Sequence, residues 1–460
     1  MANHADSGME EHEDAYLLDA DTITSILDAV EEGNRGKLLR RLDKMHAADI
    51  ADLLEQIPDK KRTALVTLWG KKFDGEVLAE MDENLSSDLI EELPDEIVAG
   101  ALKDLETDDV VDLIEDLDED QKETILDALA DSDEAAIRQA LDYPEGSAGR
   151  LMQREIVMAP THWTIGQAID MLRADTDLPE SFYDILVVNP KSQPIGKVPL
   201  HNLLSEPRET PLRDVMDDAF RTIPVMQTEE DVAYAFNQYN MISAPVVDEH
   251  DRLVGVITID DAMEVLEEQA DEDIKRLSGL GDESLTDKIL EITKRRFPWL
   301  GINLITSILA SIVIAQFAGT IEAIVALAVL MPIVASMGGN AGTQTLTVAV
   351  RALATKDLTP ANAWRVIIRE GLVGILNGLI FAVIIGAVGY IWFGDVMLGV
   401  VLGIAMIVNL FVAGLAGIFV PLVLDRFGYD PALGSSAFVT TVTDVVGFFA
   451  FLGLAAAVLL

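Results

Sequence analysis

The sequence predicts a multidomain membrane protein. An α-helical superhelical N domain is followed by an α/β pair of repeats, a connecting helix and an all-α domain of five transmembrane helices. Three observations carry this reading. Apolar residues recur every twelve positions between about 25 and 135, two similar strand–helix halves follow between about 144 and 266, and five long apolar runs close the chain. The expected boundaries are 1–20 for a disordered tail, 21–140 for the N domain, 141–204 and 205–268 for the two α/β repeats, 269–296 for a connecting (plug) helix, and 297–460 for the membrane domain.

The opening segment, MANHADSGMEEHEDAY, lacks the basic and apolar regions of a secretory signal and reads as a tail. In the N domain, Leu54, Val66, Leu78, Ile90, Leu102, Ile114 and Leu126 occupy one phase of the repeat. Ile57, Trp69, Met81, Leu93, Leu105, Leu117 and Leu129 occupy the phase three residues later. Turn or cap residues such as Pro58-Asp59, Asp82, Pro94-Asp95, Thr107-Asp108 and Asp118 fall between them. Spacing by three with a break every twelve describes short helices joined by tight turns, stacked into a superhelix. A single long amphipathic helix fails, because twelve residues are not a whole number of helical turns and the prolines interrupt.

The next region alternates strands and helices in two parallel halves. Each has a Met-containing start, a helix opened by a threonine (Thr164, Thr228) and an apolar strand (Ile185–Val188, Ala244–Val247). A second strand around Gly196 or Gly255 and a helix complete each half. The pattern resembles a tandem pair of CBS domains. That resemblance implies an adenine-nucleotide site using Thr/Ser-x-x-Asp after the last strand. The second half has Thr258-Ile259-Asp260-Asp261, which makes Thr258 and Asp261 candidate ATP-binding residues; the first has Pro199-Leu200-His201-Asn202 instead. After Ser284, Leu285, Ile289 and Ile292 suit an amphipathic connecting helix that either transmits motion to the membrane or merely links.

Charge is distributed unevenly. The chain has 33 Lys+Arg against 78 Asp+Glu, a net charge of −45. From Phe297 onward only five residues are basic (Arg351, Lys356, Arg365, Arg369, Arg426) and seven acidic (Glu322, Asp357, Glu370, Asp395, Asp425, Asp430, Asp444). Nearly all the acid excess therefore precedes the membrane domain. Such a field repels nucleic acid and anionic lipid and opposes compaction. A solvated, salt-adapted surface and a surface neutralised by bound divalent cations are both compatible with it. The chain has no cysteine, which excludes disulfides, thiolate metal sites and cysteine nucleophiles. No nucleophile–base pair, Walker loop or His-rich metal motif is present, so an enzyme is not expected.

Five runs, at about 297–317, 321–350, 366–392, 396–424 and 436–460, each reach the roughly 20 residues that cross a bilayer. Lys294, Arg295 and Arg296 precede the first, Arg351 to Arg369 surround the second link, and Arg426 follows the fourth. The alternate links carry no basic residue, which predicts a cytosolic N-terminus and an external C-terminus.

Asp444 lies in the last run, where a carboxylate is costly and marks an ion or water path, or else a buried interhelical hydrogen bond. The second run contains Met331-Pro332 and then Gly338-Gly339-Asn340-Ala341-Gly342-Thr343-Gln344-Thr345. Irregular backbone lining a cavity and tight packing by small residues are both open for the glycines. Asn340, Thr343, Gln344 and Thr347 add oxygen ligands, and Gly339 and Gly447 are further candidate metal-site residues. The region has no histidine, so its donors are all oxygens, which suit Mg²⁺, Ca²⁺ or Mn²⁺. One carboxylate per subunit suits a mostly hydrated ion, and a two-fold dimer would bring two copies of Asp444 to one axis.

MPIVASMGGNAGTQTLTVAVRALA, VGILNGLIFA and FVTTVTDVVGFFAFLGLA resemble the MgtE magnesium channel family, over nearly the whole chain. The resemblance implies a homodimeric, Mg²⁺-selective channel for Mg²⁺ uptake across the plasma (inner) membrane of a prokaryote, with Asp444 as the pore aspartate. It also implies that Mg²⁺ ions bridging the N domain, CBS pair and connecting helix close the pore. Candidate bridging acids are Glu230, Asp260, Asp261, Glu264, Glu268, Glu272 and Asp430. The competing readings are a divalent-cation carrier coupled to H⁺ or Na⁺, and a non-conducting membrane Mg²⁺ sensor.

Overall fold

A computed structural model describes residues 18–460 apart from 104, 116, 175–177, 180, 281–288 and 434. The expected tail up to residue 17, and Leu285 of the connecting helix, lie outside the described residues. The chain forms two compact units, divided between Leu266 and Glu267.

Among the described residues the first unit has ten helices before the α/β pair's own segment: α1 (Ala20–Glu31), α2 (Arg35–Leu42), α3 (Ala47–Gln56), α4 (Asp59–Trp69), α5 (Glu76–Ala79), α6 (Glu83–Glu92), α7 (Asp95–Leu102), α8 (Thr107–Glu115), α9 (Glu119–Leu126) and α10 (Asp131–Leu141). The twelve-residue repeat appears directly in where they begin. Arg35, Ala47, Asp59, Glu83, Asp95, Thr107, Glu119 and Asp131 each start a helix in the same phase. From Arg35 on, the phase slips only after Trp69, where Gly70 at φ +65° ends α4 and a 3₁₀ turn replaces a full helix. Arg35 donates to the Trp69 carbonyl there at 2.9 Å, and Trp69 meets Phe73 edge-on. Leu54, Val66, Leu78, Ile90, Leu102, Ile114 and Leu126 are all buried in one core. Ile57, Trp69, Met81, Leu93 and Leu117 join them, while Leu105 and Leu129 pack at its edge. Helices this short are marginal alone, so the shared core carries their stability.

After α11 (Ala148–Leu151), the α/β pair comprises β1 (Met158–Pro160), α12 (Ile165–Ala174), β2 (Asp184–Val188), β3 (Pro194–Pro199), α13 (Leu200–Ser205), α14 (Leu212–Val215), β4 (Ile223–Pro224), α15 (Glu229–Tyr239), β5 (Ser243–Val247), β6 (Leu253–Thr258) and α16 (Ile259–Leu277). The sheets repeat one design: β1 runs parallel to β2 and β3 antiparallel, as β4, β5 and β6 do. Even the bulge recurs, between Val187 and Val188 and between Val246 and Val247. Both predicted caps form. Thr164 and Gln167 make a reciprocal capping box, and the Thr228 hydroxyl accepts from the Asp231 N–H.

The halves also exchange their leading segments. Gln153 bridges to Val256 of the second half, and Asp217 bridges back to Lys197 of the first. A Cβ on Gly255 would collide with Met152, and one on Gly196 would lie 2.8 Å from the Met216 sulfur. The two glycines thus admit the opposite half's methionine.

The second unit holds α17 (Ile289–Gln316), α18 (Ala318–Ala323), α19 (Ala326–Ala354), α20 (Ala363–Phe393), α21 (Val396–Arg426) and α22 (Ser435–Val458). Five of these are long and apolar enough to cross a membrane: residues Ile292–Gln316 of α17, and all of α19 to α22. Leu300, Leu304, Ile308 and Ile312 form an exposed apolar row on α17, as a lipid-facing helix requires. α21 is the central helix, with residues such as Leu402, Ala405, Asn409 and Ala413 fully buried. The α/β pair's last helix runs on to Leu277. The Gly338–Gln344 segment is continuous helix within α19, so its glycines serve close packing rather than a break.

Candidate functional site

α21 and α19 meet backbone to backbone. A Cβ on Gly417 would lie 2.7 Å from both the Gly342 carbonyl and Thr345 Cβ, and one on Gly338 would collide with Asn409. Positions advance together along both helices, so they run in the same direction. α22 runs the other way: Gly338 shares Asn409 with Gly447, whereas Gly342 faces Val439 and Thr443. This alternation is what successive membrane crossings produce.

Asp444 is half-buried on α22, with no hydrogen bond or ion pair among the described residues. Thr440, one turn earlier on the same face, lies 3.8 Å from a Cβ built on Gly339. The α19 segment is therefore beside the Asp444 face. Ser336, Asn340, Thr343 and Thr347, spaced by four, three and four, form a polar row that the chain itself leaves exposed; Gln344 is exposed too. Thr343 and Thr347 donate to the Gly339 and Thr343 carbonyls at 3.0 Å, and Asn340 contacts the Ser336 hydroxyl at 3.5 Å. Their lone pairs stay available. Gly447 is buried against Asn409 and presents no open position.

A second concentration of acid lies within the first unit, where the start of α8 meets the α/β pair. Thr107 donates to Glu155 at 2.7 Å, Gln153 donates to Glu106 at 2.6 Å, and Arg150 pairs with Glu115 at 2.8 Å. Asp108 is buried, with Oδ1 accepting from the Asp109 N–H and Oδ2 unpartnered among the described residues. Burial, then the neighbouring Glu155, Asp109 and Asp261, pushes Glu106 up to about 7. Burial, Asp261 and Asp112 do the same to Asp109. Asp108 is raised well above the usual carboxylate range, by burial first and then by Asp261. The charged neighbours that act most strongly on these three are acids, so their ionised forms call for a proton or a cation.

Thr258 and Asp261 join this cluster. The Thr258 N–H and hydroxyl donate to Asp261 Oδ2 at 3.0 and 2.9 Å, a capping arrangement for α16, and the hydroxyl also reaches Asp260. Burial raises Asp261 despite those donors. An anionic triphosphate fits poorly against so many carboxylates, whereas a cation fits well. Beside it, Asp184 accepts from Lys197 and Ser243 at 2.8 and 2.9 Å, in a cleft that Tyr183 and Phe182 help line.

The remaining predicted acids are dispersed. Glu230 is exposed in the first turn of α15, and Glu264 and Glu268 are exposed one turn apart on α16. Glu272 and Asp430 do come together, but on an organic cation: Arg276 pairs with Glu272 and, at 2.6 Å, with Asp430. Ser436 donates to the Leu277 carbonyl nearby at 2.9 Å. Asp273, close by, is raised by burial and then by Asp430, against the opposing pull of Arg351. Among the described residues, no three His, Asp or Glu side chains converge into a ready metal cage. Ions at these acids would keep much of their water.

Residues 331–454 match the MgtE family described as divalent cation transporters, 45–146 match the MgtE intracellular N domain, and 212–268 match the CBS domain. The magnesium transporter MgtE of Thermus thermophilus is 32% identical over 437 residues, covering 94% of this chain and 97% of the relative. The chain belongs to the MgtE family. The MgtE of Bacillus subtilis is 31% identical over 70% of this chain and 72% of the relative. The crystal structure of the cytosolic domain of the Mg²⁺ channel MgtE in complex with ATP is 26% identical, with a TM-score of 0.50, over 53% of this chain and 99% of that one. The soluble part of a magnesium transporter, 24% identical with a TM-score of 0.50 over 54% of this chain and 98% of that one, shares the same fold. The chain is thus a multi-pass membrane protein of the MgtE magnesium-transporter family. The family match to the CBS domain covers the second half, while the repeated sheets supply the first.

Sequence reasoning missed Glu106, Asp108, Asp109, Glu155, Arg276 and Asn409. Thr107-Asp108 was visible only as a helix cap, and Asn409 only as one amide in an apolar run.

Proposed function

We propose that this MgtE-family chain is a Mg²⁺-selective channel for Mg²⁺ uptake, closed when Mg²⁺ binds its acidic cytosolic region. The observation that carries this reading is the polar row Ser336–Asn340–Thr343–Thr347, left uncovered beside Asp444 in an otherwise apolar domain. Lipid would penalise such a row, whereas water between two copies of α19 and α22 would solvate it. A homodimer with its path along the two-fold axis supplies that water and pairs the two Asp444 carboxylates. Mg²⁺ sheds water reluctantly, so Asp444 and the α19 hydroxyls and amides would hold a hydrated ion through its water shell.

The regulatory half of the proposal rests on Glu106, Asp108, Asp109, Glu155, Asp260 and Asp261. Bound Mg²⁺ would neutralise their mutual repulsion and hold the N domain against the CBS pair; ion loss would release it. Among the sequence candidates, Asp260 and Asp261 take part here. Glu272 and Asp430 would exchange Arg276 for Mg²⁺, and Glu230, Glu264 and Glu268 would contribute only after rearrangement. Nucleotide at the CBS pair is proposed for the Asp184 cleft, which Thr258 helps line, rather than against Asp261; the ATP-bound relative supports binding in this domain. The basic residues around the second link and Arg426 support a cytoplasmic N-terminus and an external C-terminus in a prokaryotic plasma membrane.

Purified protein in liposomes with an internal Mg²⁺ dye tests the proposal. Mg²⁺ entry without any H⁺ or Na⁺ gradient, lost on Asp444→Ala, supports a channel. Entry that needs a counter-ion gradient would instead indicate a coupled carrier, and no entry at all a sensor.

A further inference from the structure

Asn409 of α21 is 0% exposed, at the centre of the membrane domain. Its Nδ2 donates to the Val334 carbonyl of α19 at 2.7 Å. Its Oδ1 is buried without a partner among the described residues, the only such atom in the five membrane-crossing helices described. An unmet buried acceptor is destabilising, a loss that leucine, of similar volume, would avoid. The amide is nevertheless enclosed by two glycines from two other helices. A Cβ on Gly338 of α19 would collide with it, and one on Gly447 of α22 would lie 2.8 Å from Nδ2 and 3.0 Å from Oδ1. The side chain therefore acts as a spacer between the backbones of α19 and α22, anchored to α19 by one hydrogen bond.

Its neighbours give the spacer a consequence. Gly338 directly precedes Gly339 and Asn340, and Gly447 stands three residues after Asp444, so both helices are set close to the residues that face the ion. We propose that Asn409 is a positioning residue for ion selection: it fixes the separation between the Asp444 face of α22 and the Gly339–Thr343 face of α19, and thereby the size of hydrated ion that passes. The inference rests on the reading of Asp444 as the ion site. Selection between Mg²⁺ and Ca²⁺ depends on cavity size and rigidity, and a short amide clamped by glycine backbones leaves little freedom in either. A longer or more flexible polar residue would hold no fixed distance.

The test uses the full-length protein in liposomes, with Asn409→Leu, Asn409→Asp and Asp444→Ala beside the wild type. Mg²⁺ and Ca²⁺ entry, half-saturating Mg²⁺ and the thermal midpoint are read for each. Asn409→Leu keeps the volume and removes the unmet acceptor, so its midpoint should hold or rise while its Mg²⁺/Ca²⁺ entry ratio falls by about tenfold, or 1.4 kcal/mol. Asn409→Asp keeps the shape but loses the donor to Val334, and should shift the ratio in the same direction. Should Asn409→Leu fail to fold, Gly447→Ala presses on the amide from the other side and carries the same expectation. Ratios and half-saturation within twofold of wild type in folded variants, with Asp444→Ala inactive, would overturn the positioning role alone. Wild-type entry in Asp444→Ala would overturn the ion-site reading and this inference with it.

Discussion

The start of α8 crowds Glu106, Asp108 and Asp109 against Glu155, Asp260 and Asp261, whereas α22 carries Asp444 as its single charge. Both regions hold carboxylates that burial sets at a cost, but their surroundings differ. In the first unit several acids can accumulate, because protons and mobile cations can screen their repulsion. In an apolar helix each further charge adds a large desolvation cost, so a single carboxylate stands beside neutral oxygens. On the proposed function, number serves sensing and scarcity serves passage.

The sharpest way to break this contrast is Asp444→Ala. A hydrogen bond to a charged group is worth about 1.5–3 kcal/mol, which at 1.4 kcal/mol per decade predicts a roughly ten- to hundredfold fall in Mg²⁺ entry, while the lost insertion cost leaves the thermal midpoint unchanged or raised. Entry within threefold of wild type would remove Asp444 from the path.

The cluster should behave oppositely under the same treatment. Asp108→Asn with Asp109→Asn removes repulsion, so the first unit should gain stability without Mg²⁺ and lose much of its response to it. Mg²⁺ at about ten times a site's Kd stabilises by about 1.4 kcal/mol, and the double variant should retain less than half of that gain. Protease protection across a Mg²⁺ titration reads it; an undiminished response would mean the ions bind elsewhere.

A pH series sharpens the point without mutation. Glu106 and Asp109 are raised from 4.5 and 3.8 to about 7. A raised carboxyl favours the folded state while protonated, so this contribution is complete below about pH 4 and is lost as pH climbs through about 7. With chelator present, the cytosolic melting midpoint should fall between pH 5 and 8; saturating Mg²⁺, taking the place of the protons, should flatten the fall. A midpoint that rises over this interval would contradict the cluster's electrostatics.

The smallest effect is expected from Arg276→Ala. Its pairs with Glu272 and Asp430 are part-exposed and contribute less than about 1 kcal/mol to stability. Freed of Arg276, those two acids should respond to lower Mg²⁺, shifting the closing concentration downward by about twofold. An upward shift would mean that Arg276 itself holds the closed arrangement.

Much of the architecture was legible because local chemistry repeats. Leu54 to Leu126 fall in one phase, Pro58 and Pro94 mark helix entries, and Thr164 and Thr228 cap equivalent helices; none of this needs distant contacts. The five spans follow from apolar length alone. Asp444 stood out as one charge in an apolar run. What could not be read was pairing between distant positions: nothing local announces that Asp108 faces Asp261, or that Arg276 sits between Glu272 and Asp430. Asn409 was hidden for a different reason, since one amide in an α21-like run gives no clue to which helix it meets. Gly338 looked like a possible interruption of the backbone, and its real role, making room for that amide, depends on a helix far away in sequence.

The reciprocal seating of Met152 against Gly255 and Met216 against Gly196 also bears on how the chain acquires its shape. Neither α/β half is an autonomous folding module, because each lacks the lead-in that only the other provides. The first sheet is sealed only once Met216 and Asp217 have been made, whereas the second, already supplied with Met152, waits for Thr258, so the nascent first half should stay protease-sensitive until the lead-in of the second has emerged.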